Sequence, residues 1–234
     1  MNTIKELNLL NQKIVYNITK FTTTDYVGHL SCIVWFVSCN FRCLYCYNDI
    51  IVYTKKGNYT QNDVLEFLKT RKGLLDAVVL SGGEATIHNL IPLCIEIKKM
   101  GFKIKLDTNA TNLLQIKKLI NLNLLDYIAI DFKAPSYKFK KIVGVDMYDN
   151  TIKTIQYLIR IDFSFELRTT INKSLLDEND INEMIKTISN LGYKKIYYLQ
   201  NFLETSSNIG NISKSSDIDK NKIDCQNLTI QYRN

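Results

Sequence analysis

The 234-residue sequence is poor in several things at once: it has two prolines, nine glycines, one tryptophan and two histidines. So few prolines and glycines exclude a linker-rich or collagen-like chain. No apolar run approaches the roughly 20 residues that cross a bilayer; the longest, Leu30–Val37, is strand-sized, and no membrane partner is expected. The opening segment MNTIKELNLLNQKIVYNITK mixes charges with apolar residues and lacks a hydrophobic signal core, so a cytoplasmic location is expected. Charge of one sign is only mildly in excess, at +7, and the basic residues form no tight cluster, so nucleic acid is not expected as a partner. What remains is an ordinary globular composition, 46% apolar and 23% charged, sufficient for one domain with a full core.

Cysteine is the informative residue. Cys39, Cys43 and Cys46 fall within eight positions, whereas Cys32, Cys94 and Cys225 are scattered. A disulfide scaffold suits small secreted chains, and this chain reads as neither small nor secreted, so the cluster points to metal or redox chemistry. Structural zinc wants four ligands, usually from two separated pairs. No second CxxC pair exists, and only His29 or His88 could complete such a site; a buried, inert trio is the other alternative. A [4Fe–4S] cluster normally takes four cysteines, so three would leave one iron open for chemistry. Cys32 and Cys94 read as small buried hydrophobes.

Strand-like runs at 30–37, 76–81, 103–107, 126–131, 164–171 and 194–200 alternate with amphipathic stretches near 60–72, 90–100, 112–122, 149–161 and 178–191. Thr60 is a candidate N-cap, and Ile181, Met184, Ile185 and Ile188 repeat at helical spacing. Six strands alternating with five helices imply βαβ units and a parallel α/β sheet, as an open partial barrel or a doubly wound sheet. Either places ligands at the C-terminal strand ends. Asp107, Thr108 and Asp131 end neighbouring strands and are expected to face one cavity, unless they cap turns. Lys133 and Arg168 are cations near strand ends that could meet a ligand or pair with Asp131 or Glu166. The expected domains are an N-terminal extension (1–28), a core (29–203) and a polar, flexible C-terminal tail (204–234).

Cys39-Asn-Phe-Arg-Cys43-Leu-Tyr45-Cys46, with its aromatic before the last cysteine, resembles the signature of radical S-adenosylmethionine (radical SAM) enzymes. Ser81-Gly82-Gly83-Glu84 resembles their GGE motif, with Ala85 where proline is usual. From about Phe21 to Phe202 the chain is similar to activating enzymes of glycyl radical proteins, those of anaerobic ribonucleoside-triphosphate reductase in particular. The matching segments are Asp25–Gly28, Leu106–Asn109, Asp131–Pro135 and Leu167–Thr170, with departures at Val27, Tyr47 and Ala110.

The resemblance implies a partial (β/α)6 TIM-like barrel. It assigns a [4Fe–4S] cluster to Cys39, Cys43 and Cys46, and S-adenosylmethionine to Tyr45, Gly82, Gly83, Glu84, Asp107, Thr108, Asn109, Asp131, Lys133 and Arg168. A monovalent cation would sit at Asp107, Thr108 and Asp131. No side chain beyond the cluster and S-adenosylmethionine contacts is implied as catalytic. The implied reaction is reductive cleavage of S-adenosylmethionine to a 5′-deoxyadenosyl radical, with flavodoxin or ferredoxin as reductant. That radical would place a glycyl radical on the reductase. Alternatives are another glycyl radical enzyme, or a small molecule such as a deazapurine precursor.

Overall fold

The computed structural model describes residues 8–233, so residues 1–7 of the expected N-terminal extension lie outside the described residues. The chain divides into two compact units. The first comprises the chain up to Asn40, then Ile50–Thr108 and Asn112–Ile128. The second comprises Phe41–Asp49, Asn109–Thr111 and the chain from Ala129 onward.

In the first unit β1 (Val15–Thr22), β2 (Ser31–Phe36), β3 (Ala77–Gly82) and β4 (Lys103–Thr108) lie side by side in chain order. β1 runs antiparallel to β2, and the other neighbours are parallel. The register aligns Ile33 with Val79 and Lys105, and Trp35 with Ser81. Because side chains alternate along a strand, these residues share one face, while Val34, Leu80 and Leu106 share the other. On the first face Ile33, Ala77, Val79 and Tyr26 pack together with Trp35 and Tyr127. The helices are α1 (Asp49–Tyr53), α2 (Gln61–Lys69), α3 (Ile91–Lys99) and α4 (Leu113–Asn121). Thr60 does cap α2, in a reciprocal capping box with Asp63.

The second unit holds the end of β5 (Tyr127–Asp131), then α5 (Ser136–Val143), α6 (Tyr148–Arg160), β6 (Phe165–Ile171), α7 (Glu178–Asn190), β7 (Tyr197–Asn201) and β8 (Ile230–Arg233). β6, β7 and β8 are mutually parallel. α7 starts at an Asp177–Asp180 capping box and buries Ile181, Met184, Ile185 and Ile188.

The α/β class is as expected, and all six anticipated strands and five helices form. The structure adds β1, β8, α1 and α5. The segment from 204, expected to be a flexible tail, instead carries regular structure: β8 pairs with β7, and Ile218, Ile223 and Leu228 are buried. Arg233 at its end reaches the buried Glu166 at 3.2 Å and covers the Tyr198 ring. Among the described residues no helix is long and apolar enough to cross a membrane.

Candidate functional site

In the first unit the turn after β3 is shaped by backbone crowding. A Cβ on Gly83 would lie 1.9 Å from the Ser38 carbonyl oxygen, and one on Gly82 would lie 2.4 Å from the Phe36 nitrogen. Gly82 also has φ +115°, a region open chiefly to glycine. The two glycines therefore let the turn dock on the end of β2, where Gly83 N–H donates to the Phe36 carbonyl (2.9 Å) and Glu84 N–H to that of Ser38 (2.9 Å). The resemblance assigns Gly82 and Gly83 to S-adenosylmethionine, and the neighbouring chain by itself already demands glycine at both positions. Ser38, the residue before Cys39, is itself held: its N–H donates to the Ile51 carbonyl at 2.9 Å and its hydroxyl to that of Thr54 at 2.7 Å.

Glu84 is 2% exposed, and its Oε1 accepts from Thr86 N–H (3.1 Å), the Thr86 hydroxyl (2.6 Å) and the Thr108 hydroxyl (2.7 Å). Thr108 thus faces Glu84. Asp107, one residue earlier, faces the opposite way, 3.1 Å from the Lys105 ammonium and 3.4 Å from the Ser81 hydroxyl. The side chains of Asp107 and Thr108 therefore point to opposite faces of β4. The alternation of a strand decides this. Lys105, 5% exposed, was missed because a lysine inside a strand reads as a surface residue. His88 is a packing residue: its Nε2–H donates to the Val37 carbonyl at 2.8 Å, its ring stacks on Phe36, and burial lowers its pKa.

In the second unit the loop 41–46 carries Cys43 and Cys46. Phe41 anchors it by edge-on packing against Phe139 of α5. Asp131 ends β5 between two cations, with Lys133 Nζ at 3.0 Å and Arg168 Nε on its other oxygen. The charge-pair alternative for Lys133 and Arg168 is thus realised at Asp131; Glu166 pairs with Arg233 instead. Burial pushes the Asp131 carboxyl up, but Arg168 and Lys133 outweigh it and hold it below the usual carboxylate range. Burial would lower Lys133, yet Asp131 with Tyr45 and Cys43 keeps it above an ordinary lysine. Its ammonium lies 5.6 Å over the Tyr45 ring. Asn109 Oδ1 accepts from Thr111 N–H (3.1 Å) and hydroxyl (2.7 Å), so it braces the turn in which Ala110 stands at φ +63°.

Burial pushes the Cys43 thiol up to about 11, against the opposing pull of Lys133, and raises Cys46 in the same way. Cys32 and Cys94 are fully buried among apolar neighbours and pushed to about 12, as inert thiols should be. Among the described residues no group of three His, Cys, Asp or Glu side chains already forms a metal cage. The fit of an iron–sulfur cluster rests on donor chemistry: three thiols in one eight-residue segment, with Lys133 beside Cys43 to favour its thiolate. A second mark is the Tyr45 hydroxyl, which is buried with no hydrogen-bond partner. Such an atom is costly unless a bound group satisfies it. The residues fit.

Comparison with known proteins agrees. The radical SAM superfamily matches residues 33–191. A Methanocaldococcus jannaschii protein, provisionally named a glycyl-radical enzyme activating enzyme, is 31% identical over 199 residues, covering 81% of this chain and 80% of that one. Provisionally named GTP 3′,8-cyclases of Saccharolobus islandicus are 28% identical over 170 residues, covering 69% of this chain and 53% of theirs. The chain thus spans about half the length of those cyclases. Among solved structures, SuiB of Streptococcus suis bound to S-adenosylmethionine shares the fold with a TM-score of 0.61 at 19% identity, covering 77% of this chain and 42% of SuiB. QueE of Escherichia coli does so with a TM-score of 0.53 at 15% identity, covering 84% and 88%. With the cysteine loop, the glycine turn and these matches in agreement, the chain belongs to the radical SAM superfamily.

Proposed function

We propose that this radical SAM enzyme generates a glycyl radical on a partner protein, and that the partner is anaerobic ribonucleoside-triphosphate reductase. The observation that carries the reading is the match to a provisionally named glycyl-radical enzyme activating enzyme along about four-fifths of both chains. Cys39, Cys43 and Cys46 would hold a [4Fe–4S] cluster with one iron left open to S-adenosylmethionine. When bound and reduced, the cluster supplies the electron that cleaves the S–C5′ bond of S-adenosylmethionine. The chain's own residues bind and orient. Lys133 and Arg168, drawn together by Asp131, offer two cations to a carboxylate, and Arg168 can pair with it in bidentate fashion. The Tyr45 hydroxyl offers a buried hydrogen bond. Gly82, Gly83 and Glu84 supply a rigid backbone edge for the ammonium group, with Asp107, Thr108 and Asn109 supporting the neighbouring turns. Flavodoxin or ferredoxin is the proposed reductant.

The test is anaerobic reconstitution, reduction, and mixing with S-adenosylmethionine and the cognate reductase. A glycyl doublet in electron paramagnetic resonance supports the reading. Release of 5′-deoxyadenosine without that doublet, alongside turnover of a small molecule, sinks it. A second reading, chemistry on a small molecule, is favoured by the 28% identity to GTP 3′,8-cyclases.

A further inference from the structure

The C-terminal segment of the second unit makes a contact that the proposed reaction does not use. Along the loop 41–46, Phe41, Cys43 and Tyr45 are buried and Arg42, Leu44 and Cys46 are half-buried, and the loop turns at Leu44–Tyr45, where Cys46 N–H donates to the Cys43 carbonyl at 3.0 Å. One flank of this loop is held by the end of α5: Arg42 N–H donates to the Val143 carbonyl at 2.8 Å, and Leu44 N–H to that of Ile142 at 2.9 Å. The other flank is held from more than 160 residues away in sequence. Gly210 N–H donates to the Leu44 carbonyl at 2.7 Å, and Ile209 N–H to the Cys46 carbonyl at 3.0 Å.

The approach is close enough to require glycine. A Cβ on Gly210 would lie 2.8 Å from both Leu44 Cβ and the Leu44 carbonyl oxygen. The donating segment is itself pre-shaped. Asn208, 7% exposed, accepts from Ile212 N–H at 2.7 Å through Oδ1 and donates to the Ile212 carbonyl at 2.8 Å through Nδ2. Its two ends are tied down by the buried Phe202 and by Ile218.

We propose that Asn208–Ile212 is a clamp on the cysteine loop, with Gly210 as its positioning residue. It holds Leu44–Cys46 in a ligand-ready course and shields the backbone flank of Cys46. A loop pinned on both flanks has less conformational freedom to lose when its thiolates are fixed, and the covering segment keeps water from that side. What the clamp is for rests on the cluster reading of Cys39, Cys43 and Cys46; the clamp itself does not.

The test compares the wild-type chain with Gly210→Val, which crowds Leu44, and Asn208→Ala, which loosens the segment without adding bulk. In the metal-free proteins, iodoacetamide alkylation of Cys46 is followed by peptide mass spectrometry against the exposed Cys225 as internal standard. Both variants should alkylate Cys46 roughly fivefold faster, the change that follows loss of one net hydrogen bond. After reconstitution they should hold less iron per chain, and the electron paramagnetic resonance line shape of the reduced cluster should change. An unchanged Cys46 rate in folded Gly210→Val and Asn208→Ala overturns the clamp; should Gly210→Val fail to fold, the Asn208→Ala rate alone decides. A wild-type chain that takes up no iron yet shows the alkylation contrast supports the clamp and overturns the cluster reading.

Discussion

At the scale of single residues, chemistry and packing compete for the same side chains. Gly83 has the look of a ligand-facing glycine, yet the Ser38 carbonyl leaves no room for a methyl. Gly83→Ala should therefore lower the thermal midpoint of the metal-free protein by several degrees, by the roughly 1–3 kcal/mol of an overpacked site. Calorimetry without any cofactor checks this. Asp131 supports a sharper expectation. Its folded-state pKa lies below the unfolded value of about 3.9, so the stability it contributes is complete above about pH 4 and is lost as pH falls further. Asp131→Asn should flatten the acid limb of the stability curve, and near neutral pH it should cost about 3–5 kcal/mol by leaving the buried Lys133 ammonium without its carboxylate. Denaturant titration at pH 3 and pH 7 reads both. The cysteines complete the set: Cys39→Ala, Cys43→Ala or Cys46→Ala should abolish iron uptake, while Cys32→Ala, Cys94→Ala and Cys225→Ala should leave about four irons per chain. Iron analysis after anaerobic reconstitution decides it.

Secondary-structure elements differ in how openly the sequence announces them. α2 is legible because its start is local: Thr60 and Asp63 satisfy each other across one turn. Thr60→Ala should cost about 1 kcal/mol, a fall of roughly 2–4 °C in thermal midpoint with the fold unchanged. α5 escaped notice because Phe139, Ile142 and Val143, its buried face, are separated by lysines and follow Pro135 in a segment that reads as polar loop. β1 alternates poorly and keeps only its two end residues buried, so period-two patterning cannot find it. The site divides along the same line. The cysteine loop and the glycine turn are contiguous motifs and were legible. The opposite facing of Asp107 and Thr108 follows from strand alternation, but which face each took depended on Lys105 and Glu84, residues on β4 and beyond β3.

For the whole molecule, long-range pairing hides the C-terminal end. Little in the polar stretch after Thr205 predicts β8, because its partners Tyr197–Gln200 and the Arg233–Glu166 ion pair lie 33 or more residues upstream. Arg233→Ala should leave Glu166 buried without its cation and lower the thermal midpoint well beyond the range of a surface change; differential scanning calorimetry against a Lys222→Ala control checks it. The same distance in sequence has a consequence for biosynthesis. Ile209 and Gly210 are added some 160 residues after Cys46, roughly 8–32 s later at ribosomal rates of 5–20 residues per second. Until then the Leu44 and Cys46 carbonyls lack the donors that pin them in the finished chain. The cysteine loop is thus open on one flank until those residues are in place, and its thiols are easiest to reach during that interval.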